Sequence, residues 1–108
     1  YNGLGVKKDD AKAVELYTKA ANQGHVGAQK YLAYCLANGQ GIAKDATKAF
    51  EWWKTAADLG DADAQYNVGI CFKSGLGVKK DRSTANKWFE KAGAAGHEAA
   101  KKARNSLF

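Results

Sequence analysis

"GLGVKKD" stands at residues 3–9 and again, letter for letter, at residues 75–81, with a worn copy, "GQGIAKD", at 39–45. Two glycines followed by lysines can cradle a phosphate, or can mark a turn that recurs because an architecture recurs. The surroundings decide between these readings. A shift of 36 residues superimposes Gly3/Gly39/Gly75, Gly5/Gly41/Gly77, Lys8/Lys44/Lys80 and Asp9/Asp45/Asp81. It also aligns Ala13/Ala49/Ala85, Ala20/Ala56/Ala92, Gly24/Gly60/Gly96 and Ala28/Ala64/Ala100 without an insertion. A period of this length is the mark of stacked supersecondary units.

Each unit reads as two helices. Ala13, Leu16, Tyr17, Ala20 and Ala21 follow the spacing of one buried helical face. Ala49, Trp52, Trp53, Ala56 and Ala57 repeat it, as do Ala85, Trp88, Phe89 and Ala92. Small residues at the ends of each stripe admit a neighbouring helix, and the central aromatics fill volume. A second face is formed by Ala28, Leu32, Cys35 and Leu36, and then by Ala64, Val68, Cys71 and Phe72, with Ala33 and Gly69 as small contacts. Helices are expected over 9–22, 25–37, 45–58, 61–73, 81–94 and 97–107. The fold expected is all-α, without strands.

The twin-glycine stretch then falls between helices. Its first Gly suits the left-handed position just past a helix, and Asp9, Asp45 and Asp81 are placed as N-caps. Val6, Ile42 and Val78 are expected to turn inward and pin the bend. A phosphate loop requires G-x-x-x-x-G-K-[ST] or G-x-G-x-x-G after a β-strand. Here Lys8 occupies the sixth position, and the preceding element is helical.

Gly-x-Gly-Val, then Asp, then "KA…W…KAA…G…A…LG" resembles the Sel-one-like repeat, a relative of the tetratricopeptide repeat. The middle copy, "GQGIAKDATKAFEWWKTAADLGDADAQYNVGICFKSG" at 39–75, is the best match, and the likeness covers nearly the whole chain. The resemblance implies a right-handed α/α superhelix of stacked antiparallel helix pairs. It also implies a protein-interaction scaffold or adaptor without catalytic activity or cofactor. The domain expected is a single array over 1–108, with units at 3–38, 39–74 and 75–108. Residues 97–108, bearing "KKAR", are expected to cap it. Tyr1 and Asn2 read as the tail of a helix begun upstream, so further repeats or another chain are expected against that end.

By likeness to tetratricopeptide geometry, the concave face is lined by Gly27, Lys30, Tyr34, Ala37 and Asn38. One repeat later come Asp63, Tyr66, Ile70, Lys73 and Ser74, and then Ala99, Lys102 and Ser106. From these, Lys30, Tyr34, Tyr66, Ile70, Lys73 and Lys102 are the expected partner-binding residues. Aromatic side chains on a surface that does not need them for folding, flanked by lysines, suit a protein or peptide segment carrying carboxylates.

Net charge is +6, distributed as +2 over residues 3–38 (five basic, three acidic), −1 over 39–74 (four, five) and +5 over 75–108 (eight, three). An alternative is therefore a binder of nucleic acid or another anionic polymer through Lys79, Lys80, Arg82, Lys87, Lys101, Lys102 and Arg104, although no nucleic-acid motif accompanies them. Cys35 and Cys71 hold equivalent places in successive repeats. Helix packing separates such places by about 10 Å, beyond the roughly 7 Å between Cα atoms that a disulfide spans, so two free, buried thiols are expected. Disulfide-rich members of the family have been linked to penicillin-like compounds, a further alternative that the absence of paired cysteines weakens. His25, Asp61 and His97 each open a second helix, which points to a role at the helix start. No clustered metal ligands or nucleophile–base pair can be assembled.

Overall fold

The computed structural model describes the backbone of residues 3–106 and the side chains of residues 11–103. Six helices follow one another: α1 (Gly3–Asn22), α2 (Val26–Asn38), α3 (Ala46–Asp58), α4 (Ala62–Ser74), α5 (Arg82–Ala94) and α6 (Glu98–Ser106). No strand occurs among the described residues, and none of the described helices is long and apolar enough to cross a membrane. Each helix packs on the next in line, giving an elongated stack of 46 × 25 × 24 Å. The all-α solenoid expected from the 36-residue period is the observed architecture.

Helix starts follow from cap chemistry. The carboxylates of Asp45 and Asp81 accept the N–H of Lys48 and Thr84, each at 3.0 Å, satisfying donors that the first helical turn leaves free. The backbone bond from Thr84 holds the Asp81 carboxyl below its ordinary value. The twin glycines at 39/41 and 75/77 are all left-handed, with φ between 70 and 74°. They fold the chain back, so that the N–H of Asp45 reaches the Leu36 carbonyl and that of Asp81 the Phe72 carbonyl, both at 2.8 Å. A side chain on Gly77 would run into the Ala46 carbonyl at the head of α3. That glycine serves close approach between repeats, and the phosphate-loop alternative has no place in this geometry.

Two expectations about the loops are corrected. Residues 3–9 are the first turns of α1, so Asp9 lies inside a helix rather than just before one. The later copies are bent by backbone bonds to the ends of α2 and α4. Ile42 is exposed, whereas Val78 packs half-buried against the core, and the side chain of Val6 lies outside the described residues, as do Tyr1 and Asn2.

The second-helix faces are buried as the spacing predicts: Ala28, Leu32, Cys35 and Leu36, then Ala64, Val68 and Cys71, with Phe72 half-buried. In the first-helix stripe, burial grows along the array. Tyr17, Trp53 and Phe89 are equivalent positions, yet they are 38%, 4% and 0% exposed, and Leu16 lies mostly in solvent. Trp53 and Phe89 are each covered by the helix before them. The ring of Tyr17 meets that of Tyr31 on the helix after it, at 4.2 Å. The apolar face of a repeat is thus completed by its predecessor.

Phe89 makes the tightest of these contacts. A Cβ built on Gly69 would lie 2.5 Å from its ring. Gly69→Ala is expected to destabilise the fold by about 1–3 kcal/mol through overpacking, measured as a lower urea midpoint with an unchanged m value.

Candidate functional site

The exposed sides of α2 and α4 bound two adjoining hollows. The first, of about 280 Å³, is lined by Lys30 and Tyr34 from α2, Trp53 from α3, Asp63, Tyr66 and Asn67 from α4, and His97 just before α6. The second, of about 340 Å³, shares Tyr34, Trp53 and Asn67 with it. It continues over Ala37, Ala49, Ile70, Cys71 and Leu76, with Lys44 and Asn38 at its edge. Tyr34 stands where they meet, 54% exposed, with its ring edge-on to Trp53 at 4.8 Å. Leu76 is another large apolar side chain on this wall that is half in solvent.

The first hollow is crossed by a polar ladder joining successive repeats. Lys30 Nζ lies 3.1 Å from Asp61 Oδ1 and 3.4 Å from Asp63 Oδ2. Asp63 Oδ1 in turn lies 3.0 Å from His97 Nε2. Burial alone would lower the Lys30 pKa, but hydrogen bonding and charge from Asp61, then from Asp63, outweigh it and raise the ammonium above its ordinary 10.5. A raised lysine stabilises the fold fully below its unfolded pKa. Its contribution therefore holds through neutral pH and is lost only as pH rises past the lysine range.

His97 Nδ1 accepts the Ala100 N–H at 3.1 Å, which leaves Nε2 to carry the proton toward Asp63. His25 and Asp61 accept from Ala28 and Ala64 in the same manner. The expected helix-start role of all three is the one observed. The His97 ring also stacks on Tyr66 at 4.6 Å.

Of the six residues expected to bind a partner, Lys30, Tyr34 and Tyr66 come together in the first hollow, and Tyr34 and Ile70 in the second. Lys73 and Lys102 line neither. Two premises are corrected. Lys30 is already paired within the chain, so it is no open grip for a carboxylate. Tyr66 and Ile70 pack against the cluster around Phe89, so they also serve folding. Trp53, Asn67, Lys44, Leu76 and His97 were not expected on this surface. Trp53 was assigned to the core, where it also belongs, and the loop residues are carried there by the turn.

Two buried glutamines also escaped the reading of the sequence, although their 36-residue spacing was a visible signal. Gln29 and Gln65 donate Nε2–H to the carbonyls of Ala21 and Ala57, at 3.2 and 3.3 Å. Each fastens a second helix to the end of the helix before it.

The Sel1 repeat family model matches residues 1–25, 26–61 and 62–97. The chain belongs to the Sel1-repeat family. In the family frame, whole repeats begin on α2 and α4, and the twin-glycine turn falls inside each repeat. A Sel1 repeat protein from Oxalobacter formigenes is 41% identical, with a TM-score of 0.83 over 86% of this chain and 70% of its own. The protective antigen c5321 of uropathogenic Escherichia coli, which displays an SLR fold, is 32% identical, with a TM-score of 0.82. That match covers 83% of this chain and 19% of the antigen. Helicobacter pylori cysteine-rich protein B is 30% identical, with a TM-score of 0.78 over 82% of this chain and 67% of its own. No curated protein sequence matches significantly.

In this Sel1-repeat chain Cys35 and Cys71 are buried and form no disulfide. Burial pushes the Cys71 thiol up to about 11. No group of three or more His, Cys, Asp or Glu among the described residues could hold a metal ion. In the basic C-terminal third, Lys101 approaches Glu98 at 3.4 Å and Lys91 lies over the Trp88 ring, so part of that charge is engaged within the chain. Lys79, Lys80, Arg82, Lys87 and Lys102 are exposed, and the Arg104 side chain lies outside the described residues.

Two measurements follow from these local environments. A thiol-specific reagent at pH 8 is expected to leave both cysteines of the folded protein unmodified and to label both once urea unfolds it. His97→Ala is expected to cost about 0.5–2 kcal/mol through the lost cap. His97→Asn, which keeps a cap acceptor, is expected to recover most of that in thermal melts.

Proposed function

We propose that this chain is a non-catalytic interaction module that holds an extended segment of a protein partner along the exposed sides of α2 and α4. Proteins built from Sel1 repeats are generally interaction scaffolds. The observation that carries the reading here is Tyr34. It is a large aromatic, 54% in solvent, held edge-on by a buried tryptophan at the junction of two hollows. A rigid, half-desolvated aromatic beside an apolar recess is the kind of anchor that dominates binding energy at interfaces. The recess is built on helices, which hold a binding surface more precisely than loops do.

Lys30, Tyr66 and Ile70 take part as walls of the same surface, with Tyr66 and Ile70 shared between binding and packing. Lys73 and Lys102 are expected to contribute little, because they stand outside both hollows. The partner is a polypeptide in extended form, since two adjoining shallow hollows fit successive side chains better than one compact ligand.

The test uses a random linear peptide library displayed on phage and panned against the immobilised protein. Tyr34→Ala is expected to weaken the selected peptides about tenfold or more. Its ring contact with Trp53 is worth only about 0.5–1.5 kcal/mol, so the helical circular dichroism signal is expected to persist. Selected peptides that bind the Tyr34→Ala variant equally well would place the site on another face.

A further inference from the structure

The groove is chemically polarised along its length. At the N-terminal ends of α2 and α4, one ammonium, Lys30, faces two carboxylates, Asp61 and Asp63. His97 offers no spare donor to an anion there, because its Nδ1 lone pair caps α6 and its Nε2–H is turned to Asp63. That end therefore carries an excess of one negative charge, and Asp63 is 65% exposed. At the C-terminal ends of the same helices the walls are apolar, formed by Ala37, Ile70 and Leu76. The charge at that rim is Lys44, which is exposed and meets no carboxylate among the described residues. Tyr34 and Trp53 stand between the two ends.

From this charge complementarity, and resting on the groove reading above, we infer that the partner segment is dipolar rather than acidic. An apolar or aromatic side chain fills the hollow beside Tyr34. A lysine or arginine lies on the Asp63 side of that anchor, and an aspartate or glutamate on the Lys44 side. Spacing follows from helix geometry. Asp63 and Ile70 are seven positions apart on α4, or about 10 Å at 1.5 Å per residue. An extended peptide covers that distance in about three residues. The basic side chain is therefore about three positions from the anchor. The order of charges also fixes the direction in which the segment lies, since a reversed peptide would set like charges against each other.

The experiment analyses the Tyr34-dependent peptides from the same phage library, position by position, and then measures synthetic versions at low salt. The expected result is a basic residue about three positions to one side of an apolar anchor and an acidic residue on the other. Exchanging the two charges within one peptide is expected to weaken it about tenfold, because both attractions become repulsions. Lys44→Glu is expected to weaken the original peptide about fivefold, and a basic residue in place of its acidic one is expected to restore binding. The peptide-side exchange needs no protein variant, so it is independent of any effect of substitution on folding. Tyr34-dependent peptides that are uniformly acidic, or that show no charge order, would overturn the dipolar inference and leave the groove reading intact. A library yielding no Tyr34-dependent peptide would overturn both.

Discussion

Phe89 rests on Gly69 so closely that not even a methyl group fits between ring and backbone. One repeat earlier Trp53 is buried in one cluster with Ala33, which holds the place of Gly69, and its ring meets Tyr34 of α2. These are the contacts by which one helix pair hides the apolar face of the next. A single pair has two helices and too little surface to cover its own aromatics, so the face stays wet until another pair arrives. Tyr17, at the same register position in α1, keeps more than a third of its surface in water, where Trp53 and Phe89 keep almost none. Roughly 25 cal/mol is gained for every square ångström of apolar surface so covered, and this gain sets the register between repeats.

That register also produces the groove. Once α3 and α5 commit their aromatic sides to the stack, the outer sides of α2 and α4 stand next to each other with no further helix over them. Residues from different repeats then meet: Lys30 with Asp61 and Asp63, and His97 with Asp63 and Tyr66. Because these links span adjacent repeats, they hold the spacing of the platform on which Tyr34 stands. At Tyr66 the ring packs against Phe89 and His97 while the side chain also lines the first hollow. At Tyr34, by contrast, solvent has access to more than half of the residue.

The helices from α2 to α6 were legible to within a residue or so, because a 36-residue period and recurring cap acceptors leave little freedom. By contrast, α1 begins six residues before its expected start at residue 9. From α2 to α6 each helix starts one residue after its expected start, since the capping residue had been counted inside it. The site was half legible. Lys30, Tyr34, Tyr66 and Ile70 line the two hollows, and their positions followed from the helical face on which they sit. What that face could not reveal was that Lys30 has partners 31 and 33 residues away. Nor could it bring in Lys44 and Leu76, which reach the groove from turns.

The sequence alone determined that this chain is a stack of helix pairs, because apolar spacing, small residues and caps are local properties that recur in phase. Only the tertiary structure decided which charges remain available to a guest and which bends are bends. "GLGVKKD" makes the point by itself: at 75–81 it is a turn, bound to the carbonyls of Cys71 and Phe72 and pressed on the head of α3, while at 3–9 the same seven residues continue a helix. Glycine permits both conformations, and at 75–81 the carbonyls at the end of α4 and the head of α3 favour the turn.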